Sequence, residues 1–195
     1  MIKKLYLTIT IIFIHLSAYS QNASVEQSNV GIQVGLLGTW IHFESKLTQS
    51  ITFRTEFGFD FDYSNSEGSI LTPSISIEPR WYYNLKTRNN RFKNIEGNSG
   101  NFFSIRTTFT PDWFVISKDE SASVYPRVII APTWGMRRLL SKKIMSEIGF
   151  GVGYYKEYYS KYDTEQSEQG WFPNLYLRIG FNIKRTPPSG YKQYL

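Results

Sequence analysis

The chain contains no cysteine, and this absence excludes several kinds of structure and chemistry. Disulfide bonds, zinc ribbons and thiol catalysis all require a cysteine thiol. A lipoprotein anchor is excluded as well, because that anchor is attached to a cysteine. The fold is therefore expected to hold together without covalent cross-links.

Histidine is almost as scarce, since the sequence has only His15 and His42. Outside the N-terminal segment that contains His15, a Ser–His–acid site would have to use His42. A metal site with several histidine ligands cannot be built from the rest of the chain. A barrel enzyme acting on lipids would depend on the same residue. We interpret His42 as a structural polar group, and we expect no enzyme activity, no metal and no cofactor.

Long apolar runs are also missing. The apolar run from Leu5 to Leu16 is too short, and too interrupted by polar residues, to span a membrane as a helix. It follows the basic start "MIKK" and precedes the small residues of "SAYSQ". This pattern predicts a signal peptide over residues 1–20, cleaved after Ser20, and hence an exported protein.

About 175 residues remain, which is enough for one domain, and they show no convincing amphipathic helix. Without Lys3 and Lys4 the chain has 20 Lys and Arg against 16 Asp and Glu, a net charge of about +4. An exported chain without a separate basic face is not expected to bind nucleic acid. We predict one domain over residues 21–184 and a tail over residues 185–195.

What the chain does contain is a series of segments in which apolar and polar residues alternate. This period of two predicts β-strands, and most of the segments exceed the usual five or six residues of a soluble strand. Seven are clear: 29–47, 51–63, 73–85, 101–116, 124–140, 144–159 and 171–184.

The segment "ITFRTEFGFDFDY", 51–63, shows what the two faces carry. Ile51, Phe53, Phe57 and Phe61 lie on one face. The other face has single charged residues between small ones, as the remaining segments also do. Buried charges need partners, so a narrow barrel filled by paired side chains explains this face. The predicted lumen network consists of Arg54, Glu56, Glu78, Arg80, Arg106, Arg127, Arg137, Glu147 and Arg178.

The apolar faces carry a second signal, because Trp and Tyr gather toward the segment ends. Membrane barrels place such residues in girdles at both interfaces of an apolar band. The predicted girdle consists of Trp81, Tyr83, Trp113, Trp134, Tyr154 and Trp171. We therefore predict an all-β fold, an antiparallel up-and-down transmembrane β-barrel with its Phe face in lipid and its charged face in the lumen.

The strand count is open at this stage, because seven segments are clear and bacterial barrels have even numbers. In the first segment the apolar, outward-facing residues have even numbers up to Leu36 and odd numbers from Ile41. The alternation therefore changes at Leu37–Gly38. Either a bulge in one strand or a tight turn between two short strands explains the change, and we favour the turn, which gives eight strands. Five prolines fall inside strand-like segments and argue against a fully regular ladder: Pro79, Pro111, Pro126, Pro132 and Pro173.

The connections differ in charge. "SNSEGS", "SKDESAS" and "KYDTEQSEQG" are acidic or weakly charged, and they alternate with the basic "KLTQS", "KTRNNRFKNIEGNSGN" and "LLSKK". Up-and-down hairpins would place the two groups at opposite rims. We assign the basic group to the periplasm, because outer-membrane barrels have short periplasmic turns.

With its "EPRWYYNL", "GNSGNF", "PDWFVI" and the last strand "LYLRIGFNI", the chain resembles the small outer-membrane β-barrel proteins of Gram-negative bacteria, the OmpA/OmpX-type group. The resemblance covers nearly the whole mature chain and implies no catalytic residues. It implies an outer-membrane location and the barrel assembly machinery as a partner. One departure is "RTPPSGYKQYL", which extends beyond the last strand, where such barrels often end on an aromatic residue; Phe181 is the internal candidate for that assembly signal.

The function expected from these observations is that of a non-enzymatic integral outer-membrane barrel with a plugged, charge-paired lumen. Its role would be structural or in surface interaction, with outer-membrane lipid and lipopolysaccharide as neighbours. The alternative is a soluble exported lipocalin-like barrel whose Phe face lines a cavity for a small apolar ligand. The sequence names no specific ligand or protein partner.

Overall fold

A computed structural model describes residues 23–64, 68–118, 123–159 and 167–188. It shows an all-β fold in which antiparallel strands close into a ring of eight, as predicted. The predicted signal peptide and residues 189–195 of the predicted tail lie outside the described residues. The strands are β1 (Ser28–Gly35), β2 (Gly38–Lys46), β3 (Ile51–Ser64), β4 (Gly68–Trp81), β5 (Asn101–Thr110), β6 (Ile116–Ser117), β7 (Arg127–Leu139), β8 (Ile144–Tyr158) and β9 (Ser167–Thr186).

The ring follows chain order, with β6 outside it, and closes where β9 pairs with β1. Because neighbouring strands are antiparallel, successive connections alternate between the two rims of the barrel. We call the rim at Gly35, Ser64, Tyr158 and Ser167 the upper rim. The opposite rim, where β2, β4, β7 and β9 end, is the lower rim. The acidic connections thus start from the upper rim and the basic connections from the lower rim.

The predicted first segment is two strands rather than one bulged strand. β1 and β2 form a hairpin with a two-residue turn, Leu36–Leu37, closed by the pair Gly35 and Gly38. Gly38 has a φ of 148°, and a Cβ there would lie 2.1 Å from the carbonyl oxygen of Phe59. Only glycine fits this position, and the tight turn explains the change of parity and the eighth strand.

Other boundaries differ from the prediction because of local chemistry. The segment predicted as a strand over 73–85 ends at Trp81, and a short helix α1 (Leu85–Asn90) and a 3-10 turn (Glu96–Asn98) follow. The segment predicted over 101–116 breaks at Pro111, which cannot donate a ladder bond. Beyond the break β6 pairs with β4, continuing the line of β5. β9 extends to Thr186, two residues past the predicted end of the barrel.

Two prolines lie inside strands without disturbing the register. Pairing between β4 and β5 is interrupted around Pro79, and pairing between β7 and β8 is interrupted around Pro132. In both places the pairs on either side of the gap keep one register. Each proline thus removes local ladder bonds and shifts no side chain to the wrong face.

The barrel is polar inside and apolar outside. Among the described residues 23 buried side chains are polar or charged, and only nine are apolar. The large apolar side chains of the strands lie mostly on the outer surface, as Leu175, Ile105 and Phe57 do, with exposed fractions of 65%, 54% and 46%. None of the described helices is long and apolar enough to cross a membrane.

Candidate functional site: the charged lumen

Nine charged side chains from seven strands meet inside the barrel, and eight of them form a closed cycle that we call the Arg–Glu ring. Arginine and glutamate alternate around it, and each member contacts the next until the last returns to the first. The order is Glu44, Arg137, Glu147, Arg80, Glu78, Arg106, Glu56 and Arg54. The ring therefore ties together six strands that the sequence places far apart.

Seven of the eight contacts in the Arg–Glu ring are hydrogen-bonded ion pairs. Arg137 Nη1 donates to Glu44 Oε2 at 2.6 Å, and Arg80 donates from both Nη atoms to Glu147 at 2.9 and 2.8 Å. The longest link joins Arg54 Nη1 and Glu44 Oε2 at 3.5 Å. Bidentate pairs of this kind are among the stronger hydrogen bonds in proteins.

Arg178 is the ninth charge and joins the ring from β9. Its Nη1 donates to the two carboxylate oxygens of Glu56 at 3.1 and 3.0 Å. Its Cζ also lies 3.9 Å from the ring centre of Trp40 and 4.9 Å from that of Tyr176. Gln33 of β1 accepts a hydrogen bond from Arg54, so all eight strands of the barrel contribute to the lumen network.

Three neutral side chains donate further hydrogen bonds to the Glu44 carboxylate. Its Oε1 accepts hydrogen bonds from Thr52 Oγ1 at 2.8 Å, from Tyr82 Oη at 3.0 Å and from Asn98 Nδ2 at 3.0 Å. A buried carboxylate is costly unless its oxygens are paired. Glu44 has five partners, which makes it a central acceptor of the network.

The structure brings together eight of the nine residues predicted for the lumen network: Arg54, Glu56, Glu78, Arg80, Arg106, Arg137, Glu147 and Arg178. Arg127 does not join them. It lies near the upper rim, where it contacts Asp62 at 3.3 Å and Glu157 at 3.4 Å. The prediction omitted Glu44, although its parity with Trp40 already pointed it inward.

Small residues make room for these groups, and two glycines of β8 show how close the neighbouring rings lie. A Cβ at Gly149 would lie 2.5 Å from the ring of Tyr176, and a Cβ at Gly153 would lie 2.3 Å from the ring of Phe172. The inward Tyr176 then reaches Glu147 with its hydroxyl at 3.3 Å.

The lower rim is closed by a cap that the sequence did not predict. Val25, Tyr82, Leu85, Ile95 and Phe102 form one buried apolar cluster beneath the Arg–Glu ring. It joins the N-terminal segment, the connection after β4 and the start of β5. The Arg80 guanidinium lies 4.4 Å from the Phe102 ring centre, so the cap and the charged ring are in direct contact.

Glu26 fastens the N-terminal segment to the cap. Its Oε1 accepts a hydrogen bond from the Gly97 N–H at 2.7 Å and one from Arg185 Nη1 at 3.1 Å, while its own N–H donates to Asn98 Oδ1 at 2.7 Å. Burial removes water from the carboxyl and raises the pKa of Glu26, although the Gly97 N–H and the Arg185 charge oppose that rise.

The predicted girdle residues fall into two groups. Trp81, Tyr83 and Trp134 lie together on the lower part of the barrel, where Trp134 Nε1 donates to the Tyr83 hydroxyl at 2.9 Å. Tyr154 and Trp171 pack on the upper part with ring centres 5.0 Å apart. The sixth residue, Trp113, is 62% exposed in the segment between β5 and β6.

His42 is buried in the lumen beside Gly31, where a Cβ would lie 2.7 Å from its imidazole. Neither imidazole nitrogen has a hydrogen-bond partner among the described residues, so no nucleophile is paired with it there. In the same part of the chain no group of three or more His, Cys, Asp or Glu side chains could hold a metal ion.

Above the Arg–Glu ring the lumen widens into a cavity of about 940 Å³. Arg106, Arg178, Trp40 and Tyr176 line it on the inside. Arg106 is the one arginine of the ring with measurable exposure, 12% of its side chain. Among the described residues the lumen is thus plugged below and open above, whereas the sequence predicted a plugged lumen without this cavity.

Comparison with known proteins assigns no family or function to this site. No family model, no curated protein and no solved structure matches the chain.

Proposed function

We propose that this protein is a non-enzymatic, integral outer-membrane β-barrel with a structural or surface-interaction role. The observation that carries the proposal is the inside-out distribution of its side chains. The lumen holds charged groups that pair with one another, and the outer surface carries large apolar side chains. This is the distribution that lipid, rather than water, stabilises on the outside of a barrel.

The outer face of β9 illustrates this apolar surface. Leu175, Leu177, Ile179, Phe181 and Ile183 succeed one another on it with exposed fractions between 47% and 65%. Contiguous apolar patches of more than a few hundred Å² are rare on soluble monomers. The aromatic groups on the upper and lower parts of the barrel resemble the interfacial girdles of membrane barrels.

The Arg–Glu ring and the cap argue against a general pore. Arg54, Arg80 and Arg137 have no exposed surface, and each is held by glutamates from other strands or from its own strand. The apolar cluster around Phe102 lies below them. An eight-stranded barrel is only wide enough for side chains to fill it, and here the lower half is filled.

The neighbours proposed for this barrel follow from its surfaces. The apolar outer surface would contact the acyl chains of outer-membrane lipid, and the upper rim would contact lipopolysaccharide. The barrel assembly machinery would insert the chain. A lipocalin-like carrier would instead line its cavity with the Phe face, but Phe57 lies on the outer surface with an exposed fraction of 46%.

Two measurements on cell fractions test the proposal. We expect the protein to remain in the membrane pellet after a carbonate wash. We also expect the folded protein to migrate differently in detergent gels before and after boiling, because membrane barrels resist detergent at room temperature. A protein released by carbonate that shows no shift on boiling would contradict the proposal and favour the soluble carrier.

A further inference from the structure

Among the residues that the structure describes, the barrel wall is incomplete beside the upper cavity. β1 pairs with β9 only as far as Gly35 and Arg178, whereas β9 begins eleven residues earlier, at Ser167. On the other side β2 pairs with β3 only as far as Asp60, and β3 continues to Ser64. Because the β1–β2 hairpin is short, residues 167–177 of β9 have a strand partner only on the β8 side in the part of the chain that the structure describes.

We call this gap the lateral notch. Its floor is the turn Leu36–Leu37, and the last bond on its β3 side joins the Phe61 N–H to the Leu37 carbonyl oxygen at 2.8 Å. The notch lies beside Leu175 and Leu177, within the apolar outer face of β9. Unpaired backbone groups are costly in lipid, so a ligand or water is needed to cover this edge in a membrane.

The upper cavity continues through the lateral notch. Its lining includes lumen residues, such as Trp40 and Arg178, and residues of the outer surface, such as Leu177 and Phe150. Leu36 and Leu37 line it between the two sets. One continuous space therefore joins a polar interior to an apolar exterior, and its volume of about 940 Å³ is near the upper end of the usual range for ligand pockets.

The inner end of this space presents cationic groups. Arg106 and Arg178 are both in the lining, and the Nε of Arg178 is buried without a hydrogen-bond partner among the described residues. With Arg178 the lumen network has five arginines for four glutamates. An anionic head group would supply an acceptor for the free donor.

The acidic groups of the cavity already have partners. Asp60 accepts a hydrogen bond from Trp40 Nε1 at 2.9 Å. Asp62 and Glu157 contact Arg127 at the upper rim. Glu168 accepts hydrogen bonds from Tyr155 and Tyr159. Arg106 and Arg178, at the inner end of the cavity, are thus the charged groups best placed to meet a ligand.

We infer that the upper cavity binds a single-chain amphiphile with an anionic head, which enters through the lateral notch. The head, a carboxylate or a phosphate, contacts Arg106 and Arg178. The acyl chain passes over Leu36 and Leu37 and lies against the outer face of β9. The route from the side rests on the proposed membrane location, whereas the binding site in the barrel does not.

Quenching of Trp40 fluorescence by a brominated acyl chain tests the inference. The protein would carry Trp81→Phe, Trp113→Phe, Trp134→Phe and Trp171→Phe, so that Trp40 in the cavity is the single tryptophan reporter. It would be placed in nanodiscs of zwitterionic phospholipid and titrated with dibromostearate, with dibromostearoyl lysophosphatidic acid, and with the methyl ester of dibromostearate as a neutral control.

We expect saturable quenching by one or both anionic probes and none by the methyl ester, and the two anionic probes separate a carboxylate head from a phosphate head. Leu37→Asp should weaken the affinity about tenfold, since it removes the apolar floor of the notch. Leu47→Asp is the matched control: Leu47 lies in the turn after β2 at the lower rim, and Leu47 and Leu37 are 60% and 57% exposed.

Quenching that rises with the probe fraction without saturating, and that is equal in Leu37→Asp and Leu47→Asp, would overturn the inference. Equal saturable quenching by the methyl ester would overturn the assignment of an anionic head. The same titration in buffer without lipid separates the two proposals. Saturable binding by a protein that carbonate releases would preserve the site and contradict the membrane location.

Discussion

Arg137 and Glu44 stand 93 residues apart in the sequence and on opposite sides of the barrel, yet Arg137 Nη1 lies 2.6 Å from Glu44 Oε2. Arg137 belongs to β7 and Glu44 to β2, which are four strands apart in either direction around the ring of eight. Both side chains have no exposed surface. The contact spans the lumen and closes the alternating Arg–Glu ring.

Removing one partner of this pair should be more damaging than removing both. Arg137→Met leaves Glu44 with Arg54 at 3.5 Å as its remaining ion pair, and we expect a loss of about 3–5 kcal/mol in the free energy of unfolding. The double variant with Glu44→Gln should recover part of that loss, because the buried carboxylate that has lost its closest guanidinium is replaced by a neutral amide. Urea unfolding of the protein in phospholipid vesicles measures both, and equal losses would contradict the pairing.

The two glutamates that hold Arg80 should differ in importance. Glu147 contacts both Arg80 and Arg137 at 2.8 Å, whereas one oxygen of Glu78 has no hydrogen-bond partner among the described residues. Arg80→Ala should destabilise the barrel strongly, and Glu147→Gln should destabilise it more than Glu78→Ala. Unfolding in detergent ranks the three variants. Unchanged unfolding in Arg80→Ala and Glu78→Ala would refute the paired lumen.

Two glycines that face aromatic rings should respond differently to alanine. A Cβ at Gly135 would lie 2.2 Å from the Phe102 ring, which is fully buried, so Gly135→Ala should cost about 1–3 kcal/mol by overpacking. A Cβ at Gly153 would lie 2.3 Å from the Phe172 ring. Phe172 borders the upper cavity, and we expect its ring to shift into that space, so Gly153→Ala should cost less. A larger loss in Gly153→Ala would contradict a closed lower half and an open upper half.

The cap should weaken as the pH rises. The pKa of Glu26 is raised in the folded protein because of burial, so the folded state binds this proton more tightly than the unfolded state does. The stability of the cap is therefore fully present below the ordinary range of a glutamate pKa and decreases as the pH rises through the raised value. Hydrogen exchange at the Gly97 amide, which donates to Glu26, reports the docking of the cap. Glu26→Gln should remove this pH dependence. The prediction would be contradicted if the Gly97 amide of the parent protein exchanged more slowly as the pH rises, after correction for intrinsic exchange rates.

The period of two predicted the faces of the strands correctly because each step along a strand reverses the side chain. Arg54, Arg80 and Arg178 were placed inside on that basis, and they are buried there. The pattern could not predict that Arg137 meets Glu44, because partners across a lumen depend on the register of every strand between them. Glu44 was left out of the predicted network although the same alternation points its side chain inward.

The features that sequence patterns missed are non-periodic. The cap around Leu85 and Ile95 consists of a six-residue helix and irregular chain, too short for a helical period to appear. The lateral notch arises from unequal strand lengths, since β1 has eight residues and β9 has 20. Alternation within one strand contains no information about where its neighbour ends.

The stability of Ile77→Lys in phospholipid bilayers reports what surrounds the apolar outer face of the barrel. Ile77 is 45% exposed on the outer face of β4, four residues above Trp81. If that face lies in lipid, the lysine should lower the free energy of unfolding by about 2–4 kcal/mol. Phe92→Lys, at a fully exposed position in the connection after β4, is the matched control and should have little effect. Equal, near-zero effects of the two lysines would show that the outer face of the barrel is in water and would contradict the account.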